Sequence, residues 1–186
     1  DLLRSGSGPL GNRIVNEYAA RNYAASGLQG MSGRGGYTLL RQRNIIGRYE
    51  SPERRFYPAE LKDREGYWSS TFQNTFVVAY NTRNVKPGDV PKTYDDLLKP
   101  IWKGRQIIND TDSFEWFDGL LRFWGKEKGL AYFRRLAAQD QIFQRGARGR
   151  IQLVAAGEAP LAFGYGPHAQ SFVIQGAPIE WVPLEP

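Results

Sequence analysis

Apolar and polar positions follow two rhythms along this chain and exchange them often. After Ser7-Gly8-Pro9, residues Leu10, Ile14, Val15, Tyr18 and Ala19 recur at helical spacing. That pattern predicts an amphipathic helix with Ser7 as its N-cap and proline in the first turn, ending near Asn22. An apolar stretch, 24–28, runs into Gly30-Met31-Ser32-Gly33 and a second helix over 37–43, the order of strand, tight loop and helix. Pro52, Pro58 and mixed charges make 44–70 an irregular connection. β-Formers over 72–80 predict a buried strand, closed by the turn Lys86-Pro87-Gly88-Asp89.

Thr93 and Asp96 stand at capping-box spacing and start a helix that Pro100 stops early. A strand over 105–109 leads to Asp110-Thr111-Asp112-Ser113. Asp112 and Glu115 then repeat the capping-box spacing ahead of Phe114, Phe117, Leu120, Leu121 and Trp124 at helical intervals. The next helix carries Leu130, Phe133, Leu136 and Ala137, and another over 151–156 meets Gly157 as its terminator. Strands over 160–163, 171–175 and 179–182 complete the pattern. Strands alternating with helices predict an α/β fold with a largely parallel core sheet and right-handed crossovers.

Composition changes this picture in a few respects. With 41% hydrophobic and 13% aromatic residues the 186-residue chain is globular, long enough for one ordinary domain or two small ones. No apolar run reaches the roughly 18 residues of a membrane span. The opening Asp1-Leu2-Leu3-Arg4 carries no signal-peptide pattern. The absence of cysteine excludes disulfides, thiolate metal sites and cysteine nucleophiles. A net charge of +6 and a pI near 9.6 favour an anionic partner. The positive residues are spread from Arg4 to Arg150 among carboxylates, and the densest group, Arg145, Arg148 and Arg150, is interrupted by glycine. Nucleic acid is therefore not an expected partner, and those arginines read as a soluble basic surface.

One run is distinctive. Tyr94-Asp95-Asp96-Leu97-Leu98-Lys99-Pro100-Ile101-Trp102-Lys103-Gly104-Arg105 resembles a segment that recurs in class II periplasmic solute-binding proteins of the iron(III) and related type. Other pieces resemble that family in the expected order. Ser5-Gly6-Ser7 with Asn12, Arg13 and Glu17 looks like its ligand-facing helix start, and Tyr49-Glu50-Ser51-Pro52-Glu53 like a turn of the first lobe. Residues 76–82 look like its first interlobe strand, and 155–160 and 176–179 match later family segments.

The resemblance implies a periplasmic-binding-protein-like, two-lobed α/β fold of type II, with the ligand in the cleft between lobes. Residues 1–78 are then expected to be a partial first lobe, 79–182 the second lobe with its crossover strands, and 183–186 the return toward the first. Family members carry a further strand and helix before Ser5 and a helical portion after the return. The first lobe is thus expected to be incomplete, as in a fragment. The implied role is that of an extracytoplasmic, periplasmic binding protein that hands a small ligand to the membrane subunits of an ABC importer. It would be a monomer when complete, without enzyme activity or cofactor.

Helix starts offer exposed N–H groups and a positive dipole end to anions. The loops at Ser7, Ser32 and Thr111 to Ser113 are therefore candidate ligand-binding positions, and equally ordinary caps when taken without the resemblance. Tyr165 and His168 fall where the resemblance places iron-clamping tyrosines, and phenolate with imidazole is chemically suited to ferric ion. Gly166 and Trp116 stand where iron binders carry tyrosine, so a small organic or phosphorus-containing anion flanked by Trp116 and Tyr165 ranks above ferric ion. Two rivals come from other classes. Asp110, Asp112 and Glu115 are clustered carboxylates of the kind acid-base enzymes use, although caps explain two of them. A ligand-sensing domain without a transport role is the other.

Overall fold

The computed structural model describes residues 3, 7–23, 27, 34–70, 72–108, 115–144 and 146–186. The chain divides into two compact units, Asp1–Gln73 and Asn74–Pro186. The expected strand over 24–28 and the loop at Ser32 lie outside the described residues, as do Thr111 and Ser113.

In the first unit, helix α1 spans Ser7–Ala19 and α2 spans Arg34–Gln42. The first ends earlier than its pattern predicts, at a turn where Arg21 adopts φ 56°. The expected irregular connection is present as two short 3-10 turns, Pro52–Phe56 and Ala59–Leu61. Ser51 caps the first of them by accepting from the Glu53 N–H. The Arg54 guanidinium then fixes the following loop by donating to the carbonyls of Trp68 and Asp63 and to Ser69 Oγ.

The second unit is built on a five-stranded sheet in the order β3-β2-β4-β1-β5. Its strands are β1 (Phe76–Asn81), β2 (Gln106–Ile108), β3 (Ile142–Phe143), β4 (Leu161–Tyr165) and β5 (Ile179–Val182). β2 is parallel to both β3 and β4, whereas β1 is antiparallel to β4 and β5. The sheet is therefore mixed, not largely parallel as expected. Strand direction follows from how the chain is connected, which residue types do not encode.

Alternation along the strands sorts the core into two layers. Val78, Leu161 and Phe163 face α3 (Glu115–Trp124) and α4 (Lys126–Ala137), which add Trp116, Leu120, Tyr132 and Leu136. Val77, Ala79 and Ala162 face α5 (Ala147–Ala156) and α6 (Gly166–Ile174), which add Ile151, Val154 and Ala169. Close approach on the second side explains Gly164: a Cβ there would stand 2.6 Å from Ile151 Cδ1, so α5 packs directly on the backbone of β4. Gly157 ends α5 as predicted, at φ 84° with its N–H bonded to the Leu153 and Val154 carbonyls.

Two elements differ from expectation. Residues 171–175, predicted as a strand from Phe172, Val173 and Ile174, belong mostly to α6. Ala169, Phe172 and Val173 share one helical face against the sheet there, so tertiary packing overrides β propensity. The capping box at Thr93 is real: Asp96 N–H donates to Thr93 Oγ1, and the Asp96 carboxylate accepts from the Thr93 and Lys92 N–H groups. The Lys99 ammonium foremost, and then those two N–H groups, hold that carboxyl well below the usual range. Only a 3-10 turn, Asp95–Leu98, follows, because Pro100 leaves no room for a second turn.

Candidate functional site

β2 and β4 are parallel neighbours, with Gln106 opposite Leu161 and Ile107 opposite Ala162. The chain nevertheless leaves them toward opposite faces. β2 leads to α3 on the aromatic side, while β4 runs without a loop into α6 on the other. Neighbouring parallel strands whose following helices diverge open a crevice at their C-terminal ends, which is where open α/β sheets hold ligands. The starts of α3 and α6 follow those strand ends and carry the positive ends of their helix dipoles, although at α6 the Gly166 N–H already donates to the Thr75 carbonyl and Pro167 has none.

Tyr165 is the last residue of β4 and the N-cap of α6, and Pro167 occupies the first turn behind it. The Tyr165 ring lies against Phe76 of β1, with centroids 4.6 Å apart, and meets the His168 ring edge-on at 5.8 Å. The structure thus brings together two of the residues singled out from sequence. His168, expected in a glycine-rich turn, sits instead in the first turn of α6. Its Nδ1 is shielded from solvent without a hydrogen-bond partner. Burial foremost, and then the charges of Arg148 and Arg150, hold the imidazole below its ordinary value, so it is neutral at pH 7.

That depression has a sign. The unfolded chain takes up the proton more readily than the folded one, so the group's contribution is intact above the ordinary value of 6.5. It is lost as the pH falls from there toward the lowered folded value. The His168→Gln variant is expected to lose less stability than the parent chain between about pH 7.5 and pH 5. Urea midpoints at the two pH values measure the difference, and equal losses would contradict it.

Trp116, the second residue of α3, is only 5% exposed. Its ring stacks on Phe163 at 4.8 Å and touches Phe117 at 4.2 Å, and its Nε1 has no hydrogen-bond partner. Phe163 lies two residues before Tyr165 on the same face of β4, so one aromatic row joins Trp116 to Tyr165 and His168. Ser7 opens α1 in the other unit. Clefts of about 650 and 580 Å³ in that unit are lined by Tyr37, Tyr67 and Trp68 among others, and the second also by Glu17, Tyr49 and Ser51 of the segments that resemble the family.

The arginines correct another expectation. Arg150 is fully buried and not part of a basic surface. Its Nε donates to the Phe163 carbonyl at 2.9 Å and one terminal nitrogen to the Gln144 carbonyl at 3.0 Å, which ties α5 to the strand that carries the site. Arg148 lies over the Phe172 ring, 5.2 Å from its centroid. Composition treats both as solvated charge. Among the described residues no group of three or more His, Asp or Glu side chains is placed to hold a metal ion.

A family model described as bacterial extracellular solute-binding protein matches residues 24–177. The chain belongs to that family. A relative, the probable ABC transporter periplasmic-binding protein y4fP of Sinorhizobium fredii, is 30% identical over 110 residues, covering 59% of this chain and 30% of that protein. Iron-bound HitA from Pseudomonas aeruginosa has a TM-score of 0.80 at 19% identity, covering 96% of this chain and 58% of the other. AfuA from Actinobacillus pleuropneumoniae, solved with fructose-6-phosphate, has a TM-score of 0.76 at 21% identity, covering 98% and 60%. The chain therefore spans about a third of the curated relative's length and three fifths of the solved chains. The family's extracellular setting suits a chain in which, among the described residues, no helix is long and apolar enough to cross a membrane.

Proposed function

We propose that this chain works as part of a periplasmic binding protein that captures a small organic or phosphorus-containing anion and delivers it to an ABC importer. The observation that carries the reading is the pair of helix starts, α3 and α6, at the C-terminal ends of adjacent parallel strands, with Arg148 and Arg150 adding positive charge close enough to depress His168. Trp116, Tyr165 and His168 line this site in the proposal, and Thr111 and Ser113 of the preceding loop complete it. Such a role needs no bond to be broken, so no enzyme chemistry or cofactor is invoked. AfuA, whose structure holds a sugar phosphate, supports the anion, and iron-bound HitA supports ferric ion as the second reading.

Native mass spectrometry of protein purified without refolding, repeated after mild acid treatment, separates the two. A retained organic or phosphorus-containing anion supports the proposal, and retained iron overturns it. Calorimetric titration of the Tyr165→Ala variant with the anion so found is expected to show a loss of tenfold or more. A lost hydrogen bond to a charged group is worth about 1.5 to 3 kcal/mol. A change within about twofold would remove Tyr165 from the site.

A further inference from the structure

The distinctive run 94–105 has no part in the proposed function, yet it folds around a polar cluster of its own. Trp102 ends the short 3-10 turn Pro100–Trp102 and is 2% exposed. Its ring belongs to the aromatic layer of the core, but its Nε1 has no hydrogen-bond partner among the described residues. Two carboxamides bracket the same turn. Gln106, the first residue of β2 and fully buried, donates from Nε2 to the Leu97 carbonyl at 3.0 Å. Gln139, just beyond α4, donates from Nε2 to the Leu98 carbonyl at 2.9 Å. Consecutive carbonyls thus fix both amides, and neither can turn over without losing its bond. The Oε1 of each is shielded from solvent and, like the indole N–H, without a partner among the described residues. Backbone bonds gather the cluster further, with the Trp102 N–H on the Lys99 carbonyl at 3.0 Å and the Gly104 N–H on the Gln139 carbonyl at 2.7 Å. Native folds leave few buried polar atoms unsatisfied, so three around one turn call for a bound group.

The donor and acceptor complement decides which group. A cation suits two carbonyl oxygens and is repelled by an indole N–H, whereas an anion suits the indole and is repelled by the oxygens. Water donates twice and accepts at the same time, and buried waters make about three hydrogen bonds, the number these atoms offer. Enclosure is no obstacle to it, because a water trapped as the chain folds needs room for one molecule and no open cleft. We infer that Trp102 Nε1, Gln106 Oε1 and Gln139 Oε1 together hold one internal water, which pins residues 97–106 to the end of α4. The water completes the distinctive run as a structural ligand and sets where β2 begins. The inference goes beyond the transport reading and stands whichever solute the protein carries.

The probe is water itself, followed at the indole N–H protons of the 186-residue chain by nitrogen-edited NOE and ROE spectra. The Trp102 proton is expected to show a cross-peak to water with NOE and ROE of opposite sign, the mark of a held molecule and not of passing solvent. The Trp181 indole, which donates to Gln170 Oε1 at an exposed position, is the reference expected to lack it. In the Gln106→Met/Gln139→Met double variant, which keeps side-chain bulk and removes both acceptors, the Trp102 cross-peak should vanish. Should that variant fail to fold, Gln139→Met alone serves, because Gln139 is only half-buried. Exchange of the Trp102 indole proton with solvent should then quicken about tenfold, the worth of one hydrogen bond. No cross-peak in the parent chain, its persistence in the folded double variant, or unchanged exchange in Gln139→Met overturns the inference.

Discussion

Replacing Arg150 with leucine is expected to lower the unfolding free energy by about 3 kcal/mol, read as a shift of the urea midpoint at constant slope. The guanidinium is fully buried and holds two carbonyls, Phe163 at 2.9 Å and Gln144 at 3.0 Å. Hydrogen bonds from a charged donor are worth about 1.5 to 3 kcal/mol each, so two lost bonds cost about 3 to 6. Leucine recovers part of that by removing a buried cation, and the guanidinium is the more weakly hydrated of the basic groups, so the recovery is partial. Neither carbonyl finds a donor in a leucine. Arg150→Lys keeps the charge but lacks the planar fork that reaches two acceptors from one position, and should lose most of the same stability. A leucine variant within about 0.5 kcal/mol of the parent would mean that these bonds are dispensable. Because the Phe163 carbonyl lies two residues before Tyr165, the leucine variant is also expected to weaken ligand binding.

Elements whose local sequence and tertiary environment agree were legible in advance. β5 and helices α3 and α4 fall close to their predicted places, and β1 and α5 end within a residue of theirs though each starts four residues away, because β-formers, helical spacing and Gly157 each point the same way as the packing. Where the two levels conflict, packing decides. Phe172, Val173 and Ile174 favour a strand locally, but the chain enters them already helical from Gly166 and Pro167, and Phe172 and Val173 meet the core on one helical face. Strand direction and the burial of Arg150 depend on contacts between distant segments, which no local pattern encodes. The site was half legible. Tyr165 and His168 were found through resemblance, yet their edge-on contact arises because β4 passes into α6 with no intervening loop, and the predicted strand ended two residues too early to show it. Glu115 was visible as a carboxylate with a capping explanation. Its Oε2, shielded and without a hydrogen-bond partner, is a feature of the fold that no local pattern shows.

Amide exchange is expected to divide the chain at about the boundary between its two units, with β1, β4 and α5 exchanging at least a hundredfold more slowly than α1 and α2. The reason is the distribution of buried apolar side chains. Both core clusters are made of residues between Phe76 and Leu184, whereas among the described residues of the first unit Leu40 alone is a buried hydrophobic side chain. Tyr18, Tyr23, Tyr49 and Phe56 in that unit are exposed. Helices of 13 and 9 residues are marginal in water without an apolar face to bury. The contacts that α1 and its neighbours do make, such as the Tyr18 hydroxyl donating to the Asn44 carbonyl, are at the surface and add little. Each fully buried aliphatic or aromatic side chain contributes about 1.5 to 3 kcal/mol, so two or three more of them around a strand already account for a hundredfold slower opening. Hydrogen exchange followed by mass spectrometry on the 186-residue chain reads this directly. Comparable protection in α1 and β1 would mean that the first unit has cohesion its buried side chains do not explain, and the placement of the stable half of the molecule around the proposed site would have to be abandoned.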